Sequence, residues 1–290
     1  MQRRDALCRL AAGLVLAPVA AAGRAFAFPA DQPVRIGLTP VFLDDQVGFL
    51  NAWRDYLAQS MGRPVEFVQR GSYREVVELI RQEKLQFGWV CGYPYVLGRR
   101  WMRLVATPVY QGRPLYRSYL IVSSQDQDTG SILDLRDRIF AFSDPDSNSG
   151  YLYPHYQLVS ARSSAANFFR RTFFTYAHKK VVEAVGFGIA QGGAVDGYVW
   201  DTLARTHPEL TSKTRVADRS PEFGFPPFVA ARAVPDRLVE QMQRTLLAMH
   251  ESEDGARFLR QLNLDRFERG APSLYAGIEG MVRAVGQLVE

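Results

Sequence analysis

A chain of 290 residues that is 47% apolar can bury one large core or two smaller ones. Its formal net charge is +5, but Arg3, Arg4, Arg9 and Arg24 against Asp5 place +3 of that in residues 1–27. The body of the chain is therefore close to neutral and lacks the basic footprint of a nucleic-acid binder. No tract is polar enough to read as disordered.

The N-terminus reads as a targeting segment. Arg3 and Arg4 precede an apolar run, residues 10–22, which is too short to span a bilayer comfortably. Ala25-Phe26-Ala27 is a small-x-small cleavage signal, so the mature chain is expected to begin at Phe28. The twin arginines in RRDAL point to a folded-export route into the periplasm, with Ala6 in place of the usual phenylalanine. Cys8 precedes the apolar run, which argues against a lipid-anchored start. Cleavage would leave Cys91 alone, unable to form an internal disulfide. It is then a small core residue, a redox liability or a ligand. Beyond the leader no second apolar run of about 18 residues occurs, so no membrane span is expected.

In chain order, residues 34–39 form a strand, Asp44 and Asp45 a turn, and Val47, Leu50, Trp53 and Leu57 a helix that Gly62 ends. Residues 65–68 are the next strand, and Tyr73 opens a helix through Val76, Val77, Leu79 and Ile80. Residues 87–92 are apolar enough for a strand buried on both faces. Helix 94–103 leads into strand 104–109. Such alternation predicts mostly parallel open sheets, with ligands at the carboxyl ends of the strands; Thr39, Cys91 and Gly92 fall at such ends.

Residues 111–117 read as a crossover into a second α/β lobe. That lobe holds strands 118–122 and 139–142, a helix from Gly150, the aromatic segment 168–174, helix 179–186 and strand 194–199. Residues 215–217 and 228–231 are the return path, and helices 235–250, 255–262 and 273–288 complete the chain. The expected division is a first lobe from 28–116 and 218–290 around a second from 117–217. Two lobes with two crossings behind an export signal are the plan of a periplasmic solute-binding protein, which closes by hinge motion.

The stretch FSDPDSNSGYLYPHY, residues 142–156, is the candidate site. Asp144-Pro145 starts a turn where a buried strand ends. Ser147, Asn148 and Ser149 are good N-caps, Gly150 allows close backbone approach, and Tyr151-Leu152 opens a helix. Free N–H groups, two hydroxyls and an amide around a helix start suit an oxyanion. The competing reading is a loop that only caps its helix.

Seven stretches in order carry a family resemblance: RIGLTP, FGWVCGYPYV, YRSYLIV, SDPDSNSGYLYP, TYAHKKVVEAV, AVDGYVWDTL and SPEFGFPPFVA. With them the chain resembles the phosphate/phosphite/phosphonate periplasmic binding-protein family, the binding component of phosphonate ABC importers, over nearly all of its mature length. The resemblance implies a type II two-lobed fold and an anion cradled by Ser147, Asn148 and Ser149. It also implies that Tyr73 and Tyr116 close over the ligand, that His178 is the pocket histidine, and that Asp201 lies where an acidic residue meets a ligand's polar or cationic tail. Pro226 stands where relatives carry an aspartate, which favours a smaller or neutral-tailed ligand. Tyr73 and Tyr116 also fit as structural aromatics, and His178 or Asp201 as helix caps. A permanent imidazolium is disfavoured at a helix start.

The expected partners are a small oxyanion and an ABC permease or a sensor kinase, with no cofactor, no nucleic acid and a monomeric state. Relatives that sense arsenite are thought to use a cleft cysteine, and Cys91 is placed for that role, thiolate sulfur being a soft ligand. A Cys91–His178 hydrolase is the alternative of another class. No nucleophile motif surrounds Cys91, and His155, His178, His207 and His250 are scattered without metal-ligand spacing, so the chain is read as a non-enzyme.

Overall fold

The computed structural model describes residues 32–40 and 47–289. The expected targeting segment, its cleavage site, Cys8 and the Asp44-Asp45 turn lie outside the described residues. Helix Val47–Met61 buries Leu50, Trp53, Leu57 and Met61, which recur at the three- and four-residue spacing of one helix face. Gly62, at φ +61°, ends it in the left-handed region that glycine enters without strain.

The strands are β1 (Val34–Leu38), β2 (Val65–Gln69), β3 (Phe87–Trp89), β4 (Met102–Val109), β5 (Leu115–Tyr116), β6 (Ser118–Ser123) and β7 (Ile139–Phe142). They continue as β8 (Arg171–Phe174), β9 (Gly192–Asp196), β10 (Thr214–Arg219), β11 (Phe223–Gly224), β12 (Phe228–Ala231) and β13 (Arg266–Glu268). One sheet has the order β13-β4-β12-β3-β1-β2 and the other β10-β6-β9-β7-β8. Between them β5 and β11 form a two-stranded ribbon, with Tyr116 opposite Phe223 and Leu115 opposite Gly224. The architecture is the expected two-lobed α/β fold, each sheet flanked by helices.

Within that fold the sheets are mixed rather than mostly parallel. Strands β1, β2 and β3 are parallel, as are β7, β8 and β9. The strands next to each crossing run the other way. β6, just past the first crossing, is antiparallel to β9 and β10, and β12, just past the second, is antiparallel to β3 and β4. Residues 215–217, read as return path, belong to β10 in the second sheet, so the chain crosses back only after Arg219.

Several element boundaries also differ from expectation, the strand expected over 87–92 among them, which ends at Trp89. The helix expected over 94–103 is Gly92–Gly98, and β4 already starts at Met102. The strand expected over 194–199 stops at Asp196, whose side-chain oxygen caps the helix Gly197–Thr206. Capping overrides the apolar run Tyr198-Val199-Trp200, which becomes helix. Among the described residues no helix is long and apolar enough to cross a membrane.

Trp53 anchors the first lobe, fully buried and 5.1 Å from Phe67 and 6.1 Å from Trp89 between ring centroids. Trp53→Ala is expected to cost about 3–5 kcal/mol, read as a lower urea midpoint; a loss under ~1 kcal/mol would contradict this packing.

Candidate functional site

At the carboxyl end of β7 the chain turns sharply. Asp144 Oδ1 accepts the Asp146 amide at 2.8 Å, and the Asp144 carbonyl accepts the Ser147 amide at 2.9 Å. The other carboxylate oxygen crosses to the first lobe and accepts the Tyr73 amide at 3.0 Å. Tyr73 is the first residue of helix Tyr73–Arg81, so a second-lobe anion sits at the positive end of a first-lobe helix. Burial pushes the Asp144 pKa up, and the two amide hydrogen bonds oppose that shift. Beside it Arg74 pairs with Asp146 at 3.3 Å.

Ser147 then acts as the N-cap, its Oγ accepting the Gly150 amide at 3.0 Å. The next turn, Asn148–Leu152, is π-helical, with the Leu152 amide reaching back five residues to the Ser147 carbonyl at 2.9 Å. Only at Tyr153 does an α-helix begin, with Pro154 at its start, where a missing N–H costs nothing. The wide turn differs from the simple capped helix expected from Gly150, and π-turns of this kind concentrate at functional sites.

Gly150 is required by close packing. A Cβ there would lie 1.8 Å from Ser143 Oγ and 3.1 Å from His178 Cε1. Ser143, Ser149 and Asn148 are all fully or almost fully buried. Ser143 Oγ, Ser149 Oγ and Asn148 Oδ1 have no protein hydrogen-bond partner among the described residues. A buried unpaired polar group costs about 1–3 kcal/mol, so three on one turn need a reason beyond folding.

The remaining groups converge from both lobes. Asn148 donates its amide to Cys91 Sγ at 3.2 Å and its Nδ2 to the Tyr116 hydroxyl at 2.9 Å. Ser118 Oγ donates to the Ser149 carbonyl at 2.7 Å, fixing the turn against β6. Cys91 sits two residues past β3, at the N-cap position of helix Gly92–Gly98, and is buried, with burial pushing its thiol up to about 11, so it is un-ionised. His178 opens helix His178–Gly186 and accepts the Asp196 amide on Nδ1 at 3.1 Å. That bond assigns the ring hydrogen to Nε2, leaving a donor on the other edge. Burial lowers the His178 pKa to about 3, so the imidazole is neutral. All the donors named here are neutral.

The fold thus gathers Cys91, Tyr116, Ser147, Asn148, Ser149, His178 and the Tyr73 amide around the contact between lobes. His178 does not cap its helix; Ala177 holds the N-cap position. Asp201 is no cap either, because that role belongs to Asp196. The Asp201 carboxylate accepts the hydroxyls of Tyr110 at 2.8 Å and Tyr119 at 3.1 Å. It borders a cavity of about 440 Å3 with Gln111, Arg205, Asn263 and Asp265, and a smaller one of about 150 Å3 with Tyr116 and Tyr198. Pro226, at the position lacking the acidic residue, uses its carbonyl to accept the Trp89 indole N–H at 2.9 Å.

Sequence reasoning missed Ser143, the interlobe role of Asp144, and Asp196. Asp196-Gly197 directly after an apolar run was a readable N-cap signal. Ser143 gains its place by packing against Gly150, and Asp144 by a contact across the cleft, neither of which a local pattern encodes.

Two sheets, a hinge ribbon and donors converging between the lobes define a periplasmic-type solute-binding protein. The family model for the ABC transporter, phosphonate, periplasmic substrate-binding protein matches residues 36–275, and the chain belongs to that family. It is 26% identical over 158 residues to the phosphate-import protein PhnD of Mycolicibacterium smegmatis, a match covering 51% of this chain and about half (48%) of that relative. The fold is similar to a binding-protein component of an ABC phosphonate transporter from Pseudomonas aeruginosa, with TM-score 0.81, 19% identity, and 89% and 88% of the two chains covered. It is also similar to PhnD1 of Prochlorococcus marinus in complex with methylphosphonate, with TM-score 0.75, 19% identity, and 87% and 98% coverage.

Two outcomes test this geometry. Gly150→Ala should destabilise the protein by about 1–3 kcal/mol through overpacking, read as a lower urea midpoint; unchanged stability would contradict the Ser143 contact. Burial of Asp196 raises its pKa to about 8, well above the unfolded value of 3.8. The folded state therefore holds a proton that the unfolded state releases. The stabilisation is complete below pH 3.8 and is lost as pH rises through about 8. Between pH 7.5 and 8 His178 is neutral in the folded state and, against its ordinary value of 6.5, mostly neutral when unfolded, so it adds little. Wild type should lose up to ~1.4 kcal/mol per pH unit there, and Asp196→Asn, which keeps the cap, should flatten the slope. Equal slopes would contradict a protonated buried Asp196.

Proposed function

We propose that the protein captures a small phosphorus oxyanion, of the phosphonate, phosphite or phosphate class, between its lobes and presents the closed form to an ABC permease. One observation carries this reading: buried Ser149 Oγ and Ser143 Oγ, with no hydrogen-bond partner among the described residues, beside a capped turn that meets the opposite lobe. Tyr73, Tyr116, Ser147, Asn148, Ser149 and His178 are the proposed contacts. Ser147 and Ser149 would offer hydroxyl hydrogens, His178 its Nε2 hydrogen, and Tyr116 its own hydrogen while still accepting from Asn148. The Asn148 amide now rests on a thiol sulfur, a weak acceptor that an anionic oxygen outcompetes.

Hydrogen bonds to charged oxygens contribute about 1.5–3 kcal/mol each. Four or five therefore reach the ~8 kcal/mol of micromolar binding. Neutral, fixed donors select by count and spacing, since a donor left unpaired by the wrong anion is costly. The engagement of Asp201 by two tyrosine hydroxyls favours a small or neutral-tailed ligand over an amine-bearing one. Export through a twin-arginine signal cleaved after Ala27 is part of the same proposal.

Cys91 supports a second reading, an arsenite-type sensor that signals to a membrane kinase, because its sulfur lies against the Asn148 amide at the lobe contact. Thermal-shift screening of residues 28–290 with phosphate, phosphite, methylphosphonate, sulfate, arsenate and arsenite separates the two. A true ligand at a hundredfold its Kd should stabilise by ~2.7 kcal/mol. Ser149→Ala should remove most of the shift for a phosphorus oxyanion, and an unchanged shift would move the site elsewhere. Phosphonate or phosphite binding that Cys91→Ser leaves within about twofold supports the oxyanion reading, and arsenite binding that Cys91→Ser abolishes supports the sensor reading.

A further inference from the structure

Helix Gly197–Thr206 makes a second contact between the lobes, separate from the oxyanion turn. Its residues Tyr198, Asp201, Thr202 and Arg205 recur at three- and four-residue spacing and so share one face. Each meets the first lobe. Tyr198 donates its hydroxyl to the Leu262 carbonyl, and Arg205 donates to Asn263 Oδ1. Asn263 Nδ2 donates to Thr202 Oγ1 at 3.0 Å, and the Tyr110 hydroxyl donates to Asp201 Oδ2 at 2.8 Å. Tyr119, in second-lobe strand β6, donates to the same oxygen at 3.1 Å, and Gln111 Nε2 donates to the Tyr110 hydroxyl at 2.8 Å. Tyr110 follows β4 directly, and Leu262 and Asn263 lie just before β13, so the helix runs along one end of the first lobe's sheet.

Aromatic rings join this seam to the cleft. Tyr198 lies 5.2 Å from Tyr110 and 4.9 Å from Phe225, and Phe225 lies 5.9 Å from Tyr116, whose hydroxyl holds Asn148. The seam is made in the same conformation that brings Cys91 onto the Asn148 amide and Asp144 onto the Tyr73 amide. A rotation about the β5–β11 ribbon that separates those pairs carries the helix with the second lobe and draws the seam apart.

We infer that Asp201 is a positioning residue: with Tyr110 it latches the lobes in the closed arrangement and so sets the affinity for every anion the cleft accepts, while touching none of them. This rests on the oxyanion reading and changes what Asp201 does within it. A residue that read the ligand's tail would alter the ranking of ligands. A latch changes the population of the binding-competent form and so multiplies every Kd by one factor.

The test is calorimetric titration of wild type, Asp201→Asn and Tyr110→Phe with phosphate, phosphite and methylphosphonate, alongside small-angle scattering with and without ligand. Losing one hydrogen bond to a charged acceptor should weaken each measurable Kd by about tenfold, with the ratios between ligands kept within about twofold. The ligand-free radius of gyration should rise in both variants and return to the wild-type value at saturating ligand. A change confined to one ligand, or an unchanged ligand-free radius, overturns the latch. So does a lower melting temperature with unaltered Kd, which is what a merely structural role would give. If wild type binds none of the three anions, the oxyanion reading falls, and the ligand-free radii of wild type and variants still decide whether the seam holds the lobes together.

Discussion

The structure depends on three side-chain oxygens kept buried at a single turn with no hydrogen-bond partner among the described residues. Ser143, Asn148 and Ser149 are held there by a strand end, a π-turn and a glycine that admits no side chain. Beneath that turn the packing is aromatic, with Phe140 stacked on Phe169 at 4.6 Å and Phe142 beside both. That aromatic layer fixes β7 and therefore the place where its carboxyl end delivers the turn. Rigid support beneath a polar, under-bonded surface is what a binding site requires, because donors already fixed in place lose little entropy when a ligand arrives.

The site manages charge by burial. Asp196 is held protonated up to about pH 8 and His178 is held neutral, so neither a fixed carboxylate nor an imidazolium competes with dipoles for an incoming anion. Asp144 is the exception, and its charge is spent on the opposite lobe's helix start through the Tyr73 amide. The protein thereby uses its own anion at one helix end to bring the lobes together and leaves the other turn's donors for a guest. The two roles sit on neighbouring residues of one loop, which ties closure to the geometry of capture.

Much of this was readable from local patterns. The alternation of strands and helices, the Ser147–Ser149 loop after a buried strand, and Cys91 just past a strand all follow from short-range physics. What was not readable depended on partners distant in sequence. Asp144 gained its role only when Tyr73 came within 3.0 Å, and Asp201 joined a seam with Tyr110 and Asn263 neighbourhoods that lie far along the chain. The strand expected through Val199 failed for a different reason: a capping aspartate outweighed an apolar run that fits either strand or helix. The mixed sheets arose from the direction of the strands beside each crossing, which hydrophobic periodicity does not encode.

The central claim is that the Asn148 and Ser149 amides and the Ser147 and Ser149 hydroxyls, on the turn that Ser147 caps through the Gly150 amide, receive the oxygens of a phosphorus oxyanion. Hydrogen exchange resolved at those amides, with and without saturating methylphosphonate, phosphite or phosphate, tests it most directly. The account predicts that one of these anions slows exchange at Asn148, Ser149 and Gly150 more than at the opposite edge of the second lobe. Slowed exchange elsewhere, with these three amides unchanged, would contradict it.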